Sequence, residues 1–189
     1  RTAEFCEKLK AKGIESEVTE KTGLLLDPYF SATKARWLLK EYKIDPNKYF
    51  FGTIDTFLVW KLTEGKSFKT DVTNASRTSL LNIDSVKWDT DLLDIFELDG
   101  LNLPEVTKNS ADFGSTKLFG GEIKISGIAG DQQASLIGQG CFAKGQLKST
   151  FGTGCFLMAN TGKKRQNSSN KLLSTIAYQV DDLCYALEG

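Results

Sequence analysis

The segment Ile123 to Cys141 constrains this chain more than any other. Ile123-Lys124-Ile125-Ser126-Gly127-Ile128 alternates and is β-branched, which predicts a strand. Gly127-Ile128-Ala129-Gly130 then turns the backbone, and Asp131 opens a helix with Ala134, Ile137, Gly138 and Cys141 on one face. A strand running through a glycine turn into a helix is a building unit of open α/β sheets. Such sheets place their ligands at the carboxyl ends of the strands. We expect this strand to be buried on both faces, so that the turn presents a carboxylate and two amides (Asp131, Gln132, Gln133) at a cleft.

The flanking pattern supports a mixed α/β class. A first helix carries Phe5, Cys6 and Leu9 on one face. A second is predicted from Ala32 to Tyr42, with Ser31 as its N-cap and Ala35, Leu38, Leu39 and Tyr42 as its apolar stripe. Thr53 is expected to cap a third, with Ile54, Phe57, Leu58 and Leu62 turned inward until Gly65 ends it. Ser79 to Ile83 reads as a strand, and Asp89 starts a helix through Phe96. From Gly145 the pattern becomes strand-rich, with strands at 149–158, 172–178 and 183–187 and a polar, basic hairpin tip at 162–171. A domain boundary is therefore expected at Ala143-Lys144-Gly145, dividing residues 1–143 from 144–189. Trp37, Trp60 and Trp88 are expected in the core, and Lys163-Lys164-Arg165 on solvated surface.

Charge and composition remove several function classes. The 24 basic residues are matched by 24 acidic ones, with no basic stripe, so no nucleic-acid partner is implied. No apolar run approaches the ~20 residues of a membrane span. The sequence has no histidine, which rules out imidazole bases and imidazole metal sites within it. Cys6, Cys141, Cys155 and Cys184 lie too far apart to suggest a thiolate zinc site, and read as reduced thiols of a cytoplasmic protein. The chain opens without Met inside a helical pattern and stops directly after the strand-like Cys184 to Leu187, as expected of an excised segment.

Three groups are candidates for chemistry, each with a plainer alternative. Asp131 can take a proton from a hydroxyl, or can cap the helix that follows it. Gly152-Thr153-Gly154 can let phosphate oxygens approach backbone N–H groups, or can be a tight bend between strands. Tyr29, beside the rigid Asp27-Pro28 turn, can bond a polyol, or can be a core tyrosine bonded to backbone.

Read together, Asp27 to Lys34 (DPYFSATK), Thr70 to Thr78 (TDVTNASRT), and Ser126 to Cys155 with GIAGDQQA and TFGTGC resemble the glycerol kinases of the FGGY carbohydrate kinase family. The similarity runs in order along the whole chain. It implies a ribonuclease-H-like, actin-like ATPase fold, here in part: the later portion of a first, glycerol-binding domain and the first strands of a second, nucleotide-binding one. It implies transfer of the ATP γ-phosphoryl group to glycerol, giving glycerol 3-phosphate, by a cytoplasmic, homo-oligomeric enzyme that uses Mg2+. Asp131 would be the catalytic base and help place the metal. Gln132 and Tyr29 would bond the glycerol hydroxyls, and Gly152 and Thr153 would meet the ATP phosphates. A kinase for another polyol or a pentose, and an actin-like ATP-binding module that is no kinase, are the alternative readings. The family's N-terminal phosphate-binding loop and its Arg-Glu-Trp set have no counterpart in these residues, so the segment by itself is expected to be inactive. Glu122 stands where bacterial relatives carry an arginine for an inhibitory sugar bisphosphate, which argues against that form of feedback.

Overall fold

A computed structural model of the chain describes residues 1–189 and contains seven α-helices and ten short strands. The first half is mostly helical: α1 (Ala3–Ala11), α2 (Glu15–Thr22), α3 (Ser31–Glu41), α4 (Ile54–Leu62), β1 (Lys69–Asp71), α5 (Val72–Ser76), β2 (Leu81–Asn82), β3 (Lys87–Trp88) and α6 (Thr90–Ile95). There follow β4 (Glu105–Thr107), β5 (Ser115–Thr116), β6 (Ile123–Lys124) and α7 (Asp131–Gly138). The chain closes on β7 (Leu147–Phe151), β8 (Cys155–Gly162), β9 (Leu173–Gln179) and β10 (Leu183–Glu188). No helix is long and apolar enough to cross a membrane.

The last four strands form one antiparallel sheet in the order β7-β8-β10-β9. Because successive side chains point to opposite faces, neighbouring residues of one strand serve different cores. Ile176 and Tyr185 pack with Val72 and Ala75 of α5 and with Leu81 and Ile83. Met158, Ala177, Cys184 and Ala186 pack with Leu136 of α7 and with Cys141. The sheet is thus held between α5 on one face and α7 on the other. A third core joins Leu9, Val18, Leu26, Ala32, Leu92 and Phe96 from the N-terminal helices. Gly23 links that helical layer to the sheet. It ends α2 in the left-handed conformation (φ 72°), and a Cβ there would stand 2.0 Å from the Ser174 carbonyl oxygen, so only glycine fits.

Several expectations need correction. Ile123–Lys124 is an exposed two-residue strand paired with β5, not a strand buried on both faces. The segment continues as an antiparallel ladder to residues 109–114, so the local pairing is a hairpin rather than a parallel sheet. Residues 149–158 divide into β7 and β8 around a hairpin tip. On α7 the buried residues are Gln133 and Leu136 rather than Ala134 and Gly138. Ser31 is the first helical residue of α3, and Phe30 occupies the cap position without a side-chain bond. In α3 Ala32, Thr33 and Ala35 are buried, while Leu38 and Tyr42 face outward. On α4 the inward face is Asp55, Thr56 and Val59, and Ile54, Phe57, Leu58 and Trp60 are exposed. That helix is apolar nearly all round, so spacing alone could not choose its inner face. Asp55 turns inward because its carboxylate accepts from the buried Thr70 Oγ1 at 2.7 Å. Arg165 is not free surface either. It donates to the Glu20 and Thr19 carbonyls at the end of α2 and to Asp84.

Candidate active site

Asp131 stands at the first position of α7. The N-cap is Gly130, and the hydrogen bond made by the Asp131 carboxylate goes to the Gln132 side chain rather than to the helix amides. It is exposed, and within the chain its side chain meets only Gln132, whose Nε2 donates to Oδ2 at 3.3 Å. The helix N-terminus behind it favours negative charge at this point. Chemically this is a free proton acceptor beside an amide.

The turn that delivers Asp131 is fixed by a buried polar cluster. Asp71, with no exposed surface, caps α5 by accepting from the Thr73 and Asn74 amides. It also accepts from Asn74 Nδ2 (2.6 Å) and Asn109 Nδ2 (2.7 Å). Burial pushes its carboxyl above the ordinary value, against the downward pull of the Thr73 and Asn74 donors. Thr73 Oγ1 accepts the Gly130 amide at 2.9 Å. Asn109 Nδ2 donates to the Ile128 carbonyl at 2.9 Å, and its backbone carbonyl accepts from the Ile128 amide at 3.0 Å. The same residue pairs with Gln179 of β9 through both backbone and side chain. Two segments distant in sequence therefore hold the residues on either side of Ala129, Thr73 at Gly130 and Asn109 at Ile128, and Gln179 holds Asn109 in turn.

From the sheet side, Lys148 of β7 is 1% exposed, and its Nζ donates to Gln132 Oε1 and, at 3.0 Å, to Thr150 Oγ1. Burial holds its ammonium below the ordinary value, while Glu188 and Asp131 pull it upward. Gly152, Thr153 and Gly154 form the exposed tip between β7 and β8, where the Gly152 amide donates to the Gly154 carbonyl at 2.9 Å. The tip follows Thr150 by two residues. It is a tight bend, as the plainer reading had it, and it also leaves the Thr153 side chain in the open.

Tyr29 is 62% exposed and so is not a core tyrosine. Its amide is held by Asp27 Oδ1 at 2.7 Å, and its ring meets Phe30 edge-on at 5.3 Å. Phe30 lies under the Arg77 guanidinium, which forks onto both oxygens of Glu188 at 2.9 and 3.0 Å. Glu188 and Lys148 both register against Met158 of β8. The contacts of Tyr29 thus run through Phe30 and Arg77 to Glu188, and no hydrogen bond ties its hydroxyl to Asp131 or Gln132.

Sequence reasoning missed Asp71, Thr73, Asn109 and Lys148 as supporting residues. Asp71 before Val72 carried a legible N-cap signal. Asn109 and Lys148 carried none, since their partners lie far away along the chain.

Comparison with known proteins identifies the lineage. The family model for the N-terminal domain of the FGGY family of carbohydrate kinases matches residues 1–138. This chain belongs to that family. Among FGGY kinases, glycerol kinase of Sinorhizobium fredii is 56% identical over 197 residues, with 100% of this chain and 40% of that protein covered. Glycerol kinase of Rhizobium meliloti is 55% identical over the same extent. The crystal structure of Plasmodium falciparum glycerol kinase with ADP matches with a TM-score of 0.93 at 39% identity, covering 100% of this chain and 40% of that one. The gluconate kinase of Lactobacillus acidophilus, at 22% identity and a TM-score of 0.85, shows the shared fold alone. The chain thus carries part of the actin-like ATPase fold of the FGGY kinases and spans 40% of the length of these relatives.

Proposed function

We propose that this chain is part of an ATP:glycerol phosphotransferase and contributes its alcohol-activating half. The observation that carries the reading is the Asp131 carboxylate, exposed on a rigid turn and free of any capping duty. Phosphoryl transfer asks an enzyme mainly to position groups, balance charge and accept the nucleophile's proton. Asp131 accepts the proton of one glycerol hydroxyl as the hydroxyl oxygen bonds the γ-phosphorus and the bond from that phosphorus to the bridging oxygen breaks, releasing ADP. Gln132 and Tyr29 hydrogen-bond the glycerol hydroxyls and orient them. Thr153 and the Gly152 backbone receive ATP phosphate oxygens at the hairpin tip. The identities of 56% and 55% to two glycerol kinases support glycerol as the acceptor.

No group of three or more acidic or sulfur ligands in the chain forms a metal cage. Mg2+ is usually held by one or two carboxylates together with substrate phosphates and water, and the exposed Asp131 carboxylate suits that role. Asp131 is the residue that would hold it, and the ion when bound would neutralise charge on the transferring phosphoryl group. The four free thiols support a reducing, cytoplasmic setting. We place the division of the whole protein at 143–145, supported by the start of the antiparallel sheet at Leu147. Residues 1–143 then close the glycerol-binding domain, and 144–189 open the nucleotide-binding one.

The test is glycerol-dependent ADP formation by the full-length protein, alongside the 189-residue segment. We expect activity in the first and none in the second. A full-length protein that turns over a pentose or a sugar acid but not glycerol would refute the assignment.

A further inference from the structure

One charged side chain next to Asp131 has no part in the mechanism above. Lys148 is almost wholly buried, yet removing an ammonium from water costs several kcal/mol unless it is well paired. Its bonds go to two neutral oxygens, Gln132 Oε1 and Thr150 Oγ1. Gln132 Nε2 donates in turn to Asp131 Oδ2. The Thr150 hydroxyl lies 3.3 Å from Ser135 Oγ one turn along α7, which fixes that branch of the cluster as well.

The direction of these bonds is set by chemistry. An ammonium only donates and an ionised carboxylate only accepts, so an amide between the two can sit one way only. Its oxygen must face Lys148 and its NH2 must face Asp131. Without Lys148, the Gln132 amide could turn its oxygen outward and lose its donor at the site.

We propose that Lys148 is a positioning residue that locks the Gln132 amide with its NH2 toward Asp131, and thereby selects an alcohol oxygen as the group received there. The locked amide offers one N–H beyond the one spent on Asp131, and Asp131 offers a lone pair. An oxygen seated between them must accept one hydrogen bond and donate another. A hydroxyl does both, whereas a carbonyl or ether oxygen only accepts. Lys148 also ties this choice to the strand that runs into Gly152-Thr153-Gly154, so the helix that takes the alcohol and the hairpin proposed to take phosphate share one buried charge.

The inference rests on the assignment of Asp131 and Gln132 to glycerol, and the experiment separates the two. In the full-length protein, Lys148→Met keeps the length of the side chain and removes the charge and the donors. We expect the glycerol KM to rise about tenfold, as for loss of one charge-assisted hydrogen bond. The ATP KM should stay within about twofold, and kcat should fall less than the glycerol KM rises. Lys148→Arg, which still donates, should recover most of the loss. In a Gln132→Ala background, Lys148→Met should add little, because a residue acting through another gives non-additive effects. Additive effects of the two substitutions, or equal changes in both KM values with no rescue by arginine, would overturn the proposal. If the wild-type protein shows no turnover of glycerol, the functional assignment falls instead. The same double-mutant cycle read on thermal stability without substrate then decides the Lys148–Gln132 coupling: non-additive shifts in Tm keep it, and additive shifts remove it.

Discussion

Asp71 and Asp131 are the same residue type at almost the same structural position, and they do opposite things. Each follows an extended segment and stands at the start of a helix. Asp71 occupies the cap position of α5, is fully buried, and spends its carboxylate on the Thr73, Asn74 and Asn109 donors. Asp131 sits one position later relative to its helix, at N1 rather than N-cap, and is exposed with a single long bond to its neighbour. A shift of one residue relative to the helix start decides whether an aspartate holds the backbone or is left open at the surface. The two are also coupled in space. Thr73, which Asp71 orders, accepts the amide of Gly130, and Asn109 touches both Asp71 and the Ile128 carbonyl. The buried aspartate thus fixes the turn from which Asp131 projects.

The contrast breaks most sharply at Asp131. In the full-length protein Asp131→Asn should lower kcat by about a thousandfold, within the range for loss of a general base. Its Tm should move by no more than about a degree, as for an exposed side chain without structural partners. A large loss of stability would show that Asp131 is a second structural aspartate. Asp71→Ala reverses the pattern. It strips a helix cap and leaves the Asn109 Nδ2 group short of a buried acceptor, which together should cost about 3 kcal/mol in unfolding free energy. Denaturant unfolding measures this, and a loss below about 1 kcal/mol would mean that the buried cluster is not a keystone of the turn.

This pair also shows what the sequence makes legible. Local signals were readable. Asp89 as a helix start, Gly65 as a helix end, and the Gly152–Gly154 bend all follow from residues within one turn of each other. The mixed α/β class and the helix beginning at Asp131 were equally readable from periodicity. Which face of α4 turns inward was not, because Asp55 is drawn in by Thr70, fifteen residues on, against the apolar pattern. The strand before Asp131 was misjudged for a related reason. Its alternation is real, but its partner is the adjacent 109–116 segment, and nothing covers its outer side in this chain. At the site, Asp131 and Gln132 could be named from their motif. Asn109 and Lys148 became visible only once folding brought residues 16 to 70 positions apart into hydrogen-bond distance.

The coupling between the two aspartates can be cut without touching either. Thr73→Val keeps the shape and removes the hydroxyl that donates to Asp71 Oδ2 and accepts from the Gly130 amide. The cost in stability should be about 2 kcal/mol, for the Gly130 amide left without its partner and the Asp71 carboxylate left with one donor fewer. Because the freed amide adjoins Asp131, kcat should also drop by about fivefold through a looser turn, since small misplacements of a catalytic group are costly. If kcat is unchanged while stability falls, Thr73 serves the fold alone, and the two aspartates are independent.

The smallest expected effect concerns pH and sharpens the comparison from the buried side. Burial raises the carboxyl of Asp71 above the ordinary value of 3.8 despite its donors. A group that binds its proton more tightly in the folded state than in the unfolded one favours folding at low pH. That contribution is fully present below the unfolded value and declines as pH rises through the raised one. Asp71 should therefore impart a downward slope to stability across this window, opposite in sign to that of a carboxylate held by a salt bridge. Asn at this position is neutral throughout and cannot titrate. Unfolding free energies of wild type and Asp71→Asn, measured between about pH 3 and pH 6, should differ by an offset that shrinks as pH rises, because only the wild type loses the proton-linked part. Curves that stay parallel would show that the donors to this carboxylate (the Thr73 amide and hydroxyl, the Asn74 amide and side chain, and the Asn109 side chain) have fully replaced the water it lost. In that case the difference between the two aspartates lies in their partners and not in their burial.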